Sequence, residues 1–297
     1  MSEKYRYSIE RKEDTSESVE GPREIPIIDI VRHGPTTYKE LADPHFVFNP
    51  SAEAFALTSE YLDLTAEGID IIRETGRQLA TRIDREHEAV LIVSSPNYRA
   101  QSTALVLDEE LRKAGIHLVL PPNQIRLAHQ LRQISFRDSD TRARWIAEDK
   151  KYRAEDDKHR RFPPEKAHAD IADRLGMDLS EIFTESHEEI STRLMRLLRH
   201  ASNAARYMNK DPDKGPVTDK KLRIVLVTHE EAPSLLMKEA LGTEENIKRG
   251  QILEIMPSAA FEKGTKTPFT LELVPQGEDS EAGTSVAELR ISADTET

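Results

Sequence analysis

Short apolar runs alternating with longer amphipathic segments constrain this chain more than any other feature. Residues 25–31, 89–93, 116–120, 222–228, 251–256 and 269–274 have the length and aliphatic content of strands. Between them, residues 66–83 place Ile69, Ile72, Gly76, Leu79, Ala80 and Ile83 on one helical face, with Thr65 positioned as a cap. Residues 98–114 and 232–241 read as further helices, the first stopped by Gly115. Strands alternating with helices predict βαβ units, and so a mostly parallel sheet covered on both faces. In such a sheet the ligand site lies beyond the carboxyl ends of the strands.

Three of those ends carry the same kind of chemistry. The first strand runs into Arg32-His33-Gly34, the second into Ser94-Ser95-Pro96-Asn97-Tyr98-Arg99, and the fourth into Thr228-His229-Glu230-Glu231. If the strands are parallel, two arginines and two histidines converge at one edge. Guanidinium forks match phosphate oxygens, and an imidazole is a usable nucleophile at neutral pH. Any one of these residues alone would be read as a solvated loop residue. Three such ends in one chain favour an oxyanion site.

The whole chain is acidic, with 42 Lys+Arg against 54 Asp+Glu and a net charge of -12. That argues against nucleic acid or an anionic membrane as the partner, and a cationic pocket on an acidic protein remains compatible with it. There is no cysteine, which removes thiol catalysis, disulfides and thiolate metal sites. His159, His168 and His187 have no metal-ligand spacing, so no metal site is expected. With no apolar run of membrane length and no secretory pattern at the charged N-terminus, a cytoplasmic location is expected.

The motifs also resemble a known family. Arg32-His33-Gly34, then Leu62-Asp63-Leu64-Thr65-Ala66-Glu67-Gly68, then Ser94 to Ala100, then Val227-Thr228-His229 are similar, in order, to the histidine phosphatase superfamily, and most to its phosphoglycerate mutase-like branch. The resemblance implies an α/β fold, a three-layer α/β/α sandwich, and phosphoryl transfer through a phosphohistidine with no metal or nucleotide cofactor. It implies that His33 is the nucleophile, that Arg32 and Arg99 hold the equatorial oxygens, and that His229 completes the pocket. Thr36 would donate a further hydrogen bond to phosphate. Lys39 stands where many relatives carry asparagine and would add a cation, a solvated loop lysine being an equal reading.

Two positions depart from the family. Pro35 replaces a common glutamate and removes a backbone donor. More consequentially, Leu131-Arg132-Gln133-Ile134-Ser135-Phe136 carries Gln133 where relatives supply the proton-donating glutamate. An amide cannot protonate a leaving alkoxide, and losing a general acid typically costs ~10²–10⁴-fold. Three explanations stand: another carboxylate serves, with Glu230 beside His229 first and Asp138 or Asp140 behind it; the substrate has a good leaving group; or the chain only binds phosphorylated ligands.

Residues 139–208 are mainly helical, broken at Phe162-Pro163-Pro164, and read as an insertion. Ile190, Leu194, Leu197, Leu198, Ala201 and Ala205 mark its second half as a packed helix. Its cations, from Arg142 to Arg161, would form a lid over an anionic substrate. The plainer and preferred reading is a solvated face, because acids such as Glu148, Asp149 and Glu155 are interspersed. The loop at 35–60 is too long for a connector and is expected to help cover the site. A domain at 23–275 is expected, with a loosely attached charged segment at 1–22 and an acidic tail at 276–297 holding at most one edge strand near 286–291. The expected activity is phosphomonoester hydrolysis of a small phosphorylated molecule or a phosphoprotein, with a phospho-ligand binding module as the alternative.

Overall fold

The computed structural model describes residues 25–43, 45–156, 158–159, 162–204, 220–242, 246–259, 266–274 and 284–290, without side chains for Leu41 and 284–290. The expected tails, apart from 284–290, lie outside the described residues, as do Arg160, Arg161 and Ala205. In chain order the strands are β1 (Ile27–Arg32), β2 (Glu88–Ser94), β3 (Arg126–Leu127), β4 (Lys221–Thr228), β5 (Ile252–Pro257), β6 (Lys266–Leu273) and β7 (Thr284–Arg290). The helices are α1 (Lys39–Ala42), α2 (Ala66–Arg82), α3 (Tyr98–Lys113), α4 (Ser139–Glu155), α5 (Pro164–Leu175), α6 (Leu179–Ile182), α7 (His187–Ser202) and α8 (Glu231–Leu241).

Among the described residues the strands form one mixed sheet in the order β3-β2-β4-β1-β5-β6-β7. β3, β2, β4 and β1 are parallel, while β5, β6 and β7 join antiparallel. Connection length accounts for the pairing of β5, β6 and β7 with one another, though not for that of β5 with β1, since α8 stands between β4 and β5. The parallel strands are joined by helices, whereas β5, β6 and β7 are linked by stretches too short for the crossover a parallel neighbour needs. The run at 116–120 contributes only a bridge from Leu118 to Val90. Pro121 and Pro122 then withdraw two backbone donors, and pairing with β2 resumes at Arg126.

Alternation along the strands divides the interior into two cores. Leu222, Ile224 and Leu226 of β4 face one side, with Ile28 and Ile30 of β1, and meet α5, α7 and α8. Val225 and Val227 face the other side, with Val90 and Ile92 of β2, and meet α2 and α3. A sheet apolar on both faces requires helices on both, which gives the three layers. On the α2 side, Arg223 is fully buried and binds Asp29 (2.7 Å), Glu88 (3.4 Å) and Glu254. Three acids around one guanidinium are tolerable in a core because each is bonded to Arg223, and Arg82 adds a second cation at Glu254 (2.8 Å). Burial also raises the pKa of Asp29 to about 6, so that it gives up its charge more readily.

Candidate active site

The parallel register brings the three polar strand ends together. Arg32 pairs with Thr228, and Ser94 with Val227, so β1, β2 and β4 finish side by side. The chain then leaves the sheet under backbone control: His33 N donates to Thr228 O (2.9 Å) and Ser95 N to Val227 O (2.9 Å). Gly34 is required by packing, since a Cβ there would lie 2.8 Å from Ile72 Cγ1. Gly68 is required likewise, since a Cβ would collide with Pro35 O. Pro35 O also accepts from Thr65 N (3.0 Å), and Thr65 Oγ1 caps α2 by accepting from Gly68 N (2.9 Å). The helix start at Thr65–Gly68 is therefore the bed on which the His33 loop rests.

His33 and His229 lie with ring centroids 5.1 Å apart, and both are buried. His33 Nδ1 is 2.8 Å from Gly34 O, which can only accept, so the proton sits on Nδ1 and Nε2 keeps its lone pair. Arg99 Nε donates to that Nε2 (3.3 Å). Burial, followed by the neighbouring Arg99, holds His33 well below the usual imidazole pKa, so it is neutral at physiological pH. His229 is depressed for the same two reasons, and its Nε2 meets Ser95 Oγ (2.9 Å). Its Nδ1 and the Nε of Arg32 are buried without partners. Unmet polar atoms on two residues of one cavity fit an anion that would satisfy them.

The acid candidates separate sharply. Gln133 does reach the site, where its Oε1 accepts from Arg99 Nη2. Glu230 is ion-paired with Arg32 and with Arg153 (3.3 Å), and accepts from Asn246 (3.1 Å). Burial opposes its ionisation, but Arg32 and Arg153 prevail and hold it far below the carboxylate range. Asp138 caps α4 by accepting from Thr141 N (2.7 Å), while Asp140 is exposed. Neither lines the cavity.

Two residues expected at the phosphate are turned elsewhere. Thr36 Oγ1 donates to Asp63 Oδ1 (2.8 Å), which also accepts from Lys39 N (2.8 Å). Lys39 Nζ donates to Ser59 O and to Glu60 O (3.0 Å), 5.4 Å from the ring of Phe46. Asp63 thus organises the start of α1, and Thr36 and Lys39 brace the 35–60 loop outside the cavity.

The cavity has a volume of about 870 Å³, large enough for much more than a phosphate. One face of α4 forms its far wall through Arg142, Trp145, Ile146, Asp149, Lys150 and Arg153. Those positions follow helical spacing, so on this face Arg142 and Arg153 border the cavity half-buried, while Lys150 is exposed, as the reading of a solvated face expects. That reading also holds for Arg144, which is exposed, and for Lys151, which pairs with Glu148 (3.1 Å). Phe136 and Phe183 add aromatic surface, and Lys248 and Arg249 add charge at the opening. The last two were missed because β5 runs antiparallel, so its beginning lies at the carboxyl ends of the parallel strands. Glu231, buried in the same cavity wall, was not singled out from the sequence either. Its signal was position alone, two residues beyond His229 on a strand end already under suspicion.

A family model described as the histidine phosphatase superfamily (branch 1) matches residues 28–254. No curated protein matches the chain. Among solved structures, a phosphoglycerate mutase from Plasmodium falciparum has 12% identity and a TM-score of 0.36, covering 89% of this chain and 99% of that one. The phytase of Klebsiella sp. ASR1 has 15% identity and a TM-score of 0.35, covering 90% and 89%. The phytase of Citrobacter braakii has 11% identity and a TM-score of 0.39, covering 86% of each.

Proposed function

The chain belongs to the histidine phosphatase superfamily, and from that premise we propose that it is a phosphohydrolase working through a phosphohistidine on His33. What carries the reading is the state of that imidazole. It is neutral, with its proton fixed by Gly34 O and its Nε2 beside the guanidinium of Arg99. Nε2 attacks phosphorus, the bond to the leaving oxygen breaks, and water later displaces phosphate from the histidine. Arg99, Arg32 Nε and His229 meet the charge that builds on the phosphoryl oxygens. The Gly34 carbonyl stabilises the imidazolium character of the phosphorylated ring.

The substrate in this reading is a phosphorylated small molecule or phosphoprotein, not a nucleic acid, and the location is cytoplasmic. The part beyond the phosphate meets apolar surface at Trp145, Ile146 and Phe136 and cations at Arg142, Lys150 and Lys248. A leaving group that is partly apolar and carries a second anion fits that wall. The test is phosphate release from p-nitrophenyl phosphate by wild type and His33→Ala. Release that depends on His33 is expected, and equal release by both proteins would contradict the assignment.

A binding module is the second reading, favoured by Gln133 occupying Arg99 where an acid is expected. It requires tight phosphate or vanadate binding with no turnover of any phosphate ester.

A further inference from the structure

Hydrolysis of an ordinary alkyl phosphate needs a proton for the leaving oxygen, and the obvious sources are excluded. Gln133 has no acidic proton. Glu230 is locked between Arg32 and Arg153 as a carboxylate, and Asp138 is spent on capping α4. One carboxyl of the cavity differs from these. Glu231 is 2% exposed, is the first residue of α8, and lines the same cavity as His33, Arg32 and His229. No ion pair of the described residues joins it to a cation within salt-bridge distance, whereas Glu230 has two.

We propose that Glu231 is the proton donor to the leaving group and then the base that activates water. The proposal rests on the phosphohistidine reading above. In the first step the Nε2 lone pair of His33 forms the N–P bond as the P–O bond breaks, and the Glu231 proton passes to the departing oxygen. In the second, the Glu231 carboxylate removes a proton from water while the water oxygen bonds to phosphorus. The N–P bond then breaks, releasing phosphate and restoring both residues.

The electrostatic setting fits both halves of the cycle. Burial, and next the fixed negative charge of Glu230, push the Glu231 carboxyl above its ordinary range, so it holds a proton nearer neutrality than Glu230 does. The two adjacent carboxyls are thereby split into a permanent anion that anchors Arg32 and an exchangeable acid. A doubly acidic pair is what allows the separation: the carboxylate that arginines hold ionised raises the affinity of its neighbour for a proton.

The test compares an alkyl phosphate, glycerol phosphate, with p-nitrophenyl phosphate, whose leaving group needs little protonation. In wild type, kcat/KM for the alkyl ester should fall on the alkaline side, as Glu231 ionises, while the aryl ester shows no such limb. Glu231→Gln should lower alkyl kcat/KM by ~10²-fold or more, aryl kcat/KM by far less, and remove the alkaline limb. With the aryl ester it should also accumulate phosphohistidine, because water is no longer activated. Equal losses on both esters, or an alkaline limb that survives Glu231→Gln, would overturn the proposal. The wild-type profile decides even if the variant folds poorly, since identical limbs for both esters already contradict it. Turnover that survives His33→Ala would instead remove the phosphohistidine reading, and this proposal with it.

Discussion

At the scale of single residues, the site works by making like groups unlike. Two imidazoles are both buried and neutral, but Gly34 O fixes the tautomer of only one of them, leaving His33 Nε2 with a free lone pair, as the proposed nucleophile requires. Of two neighbouring glutamates Glu231 is buried and Glu230 half-buried, but among the described residues only Glu230 forms ion pairs with arginines. The depressed pKa of His33 carries a definite sign. A histidine lowered from 6.5 is fully deprotonated above that value and loses its lone pair only when pH falls well below it. After correction for the second ionisation of the substrate, kcat/KM for an aryl phosphate, which reports the attack of His33 and not the later attack of water, should therefore show no acid limb near pH 6.5. A limb there would mean that the imidazole titrates normally and that the cationic, buried setting is wrong.

Arg32, His33, Arg99 and His229, which the structure brings together, were legible because each lies in the polar segment that leaves an apolar run, Arg99 six residues beyond Val93. Thr36 and Lys39 were misread for a physical reason. They follow His33 closely in the chain, but Asp63 and the carbonyls of Ser59 and Glu60 take their donors. Residue type and spacing carry no information about that competition.

At the scale of elements, the N-terminus of α2 and the first strand end form one unit. Pro35 O takes the Thr65 amide, and Gly68 leaves room for that carbonyl to approach. Gly68→Ala would force the His33 loop off its bed. A stability loss of ~1–3 kcal/mol is expected from the clash, together with a fall in kcat larger than any change in KM. Unchanged kcat at lower stability would show that the loop does not rely on α2. Helix α4 invites a different experiment, because its cations face the cavity without touching the reacting atoms. Arg142→Ala with Lys150→Ala should raise KM for substrates with a second anionic group and leave kcat for p-nitrophenyl phosphate nearly constant. Equal effects on both substrates would assign α4 a structural role only.

The helical pattern of α4 was readable, but which face it buries was not. Mixed charges gave no amphipathic stripe, and only Trp145 and Tyr152, seven residues apart, marked the inner side. By contrast, α7 announced its core face through Ile190, Leu194 and Leu198, and these are buried as expected. A capping box at Ser186 and Glu189 opens that helix, with Ser186 Oγ accepting from Glu189 N (3.2 Å).

At the scale of the whole molecule, the sheet divides labour between its halves. The parallel half ends in the site, and the antiparallel half closes it by returning Lys248 and Arg249 to the same edge. Alternating strands and helices made the first half readable. The second half depended on short connections that the same pattern does not rank. Away from the site, Arg223 holds Asp29, Glu88 and Glu254 together in the α2-side core. Arg223→Met would leave three buried carboxylates without their common cation, and a loss of ~3–5 kcal/mol is expected in denaturant unfolding. A neutral result would mean that Arg82, which also binds Glu254 at 2.8 Å, suffices to compensate them.

The central claim is a covalent one, and it can be read directly. Rapid acid-free quenching of the enzyme during turnover of a radiolabelled aryl phosphate, followed by peptide mapping, reports where the phosphoryl group resides. An acid-labile, base-stable label on His33, absent from His33→Ala, is the predicted result. Steady turnover with no label on His33 at any time point, or a label on another residue, would contradict the account.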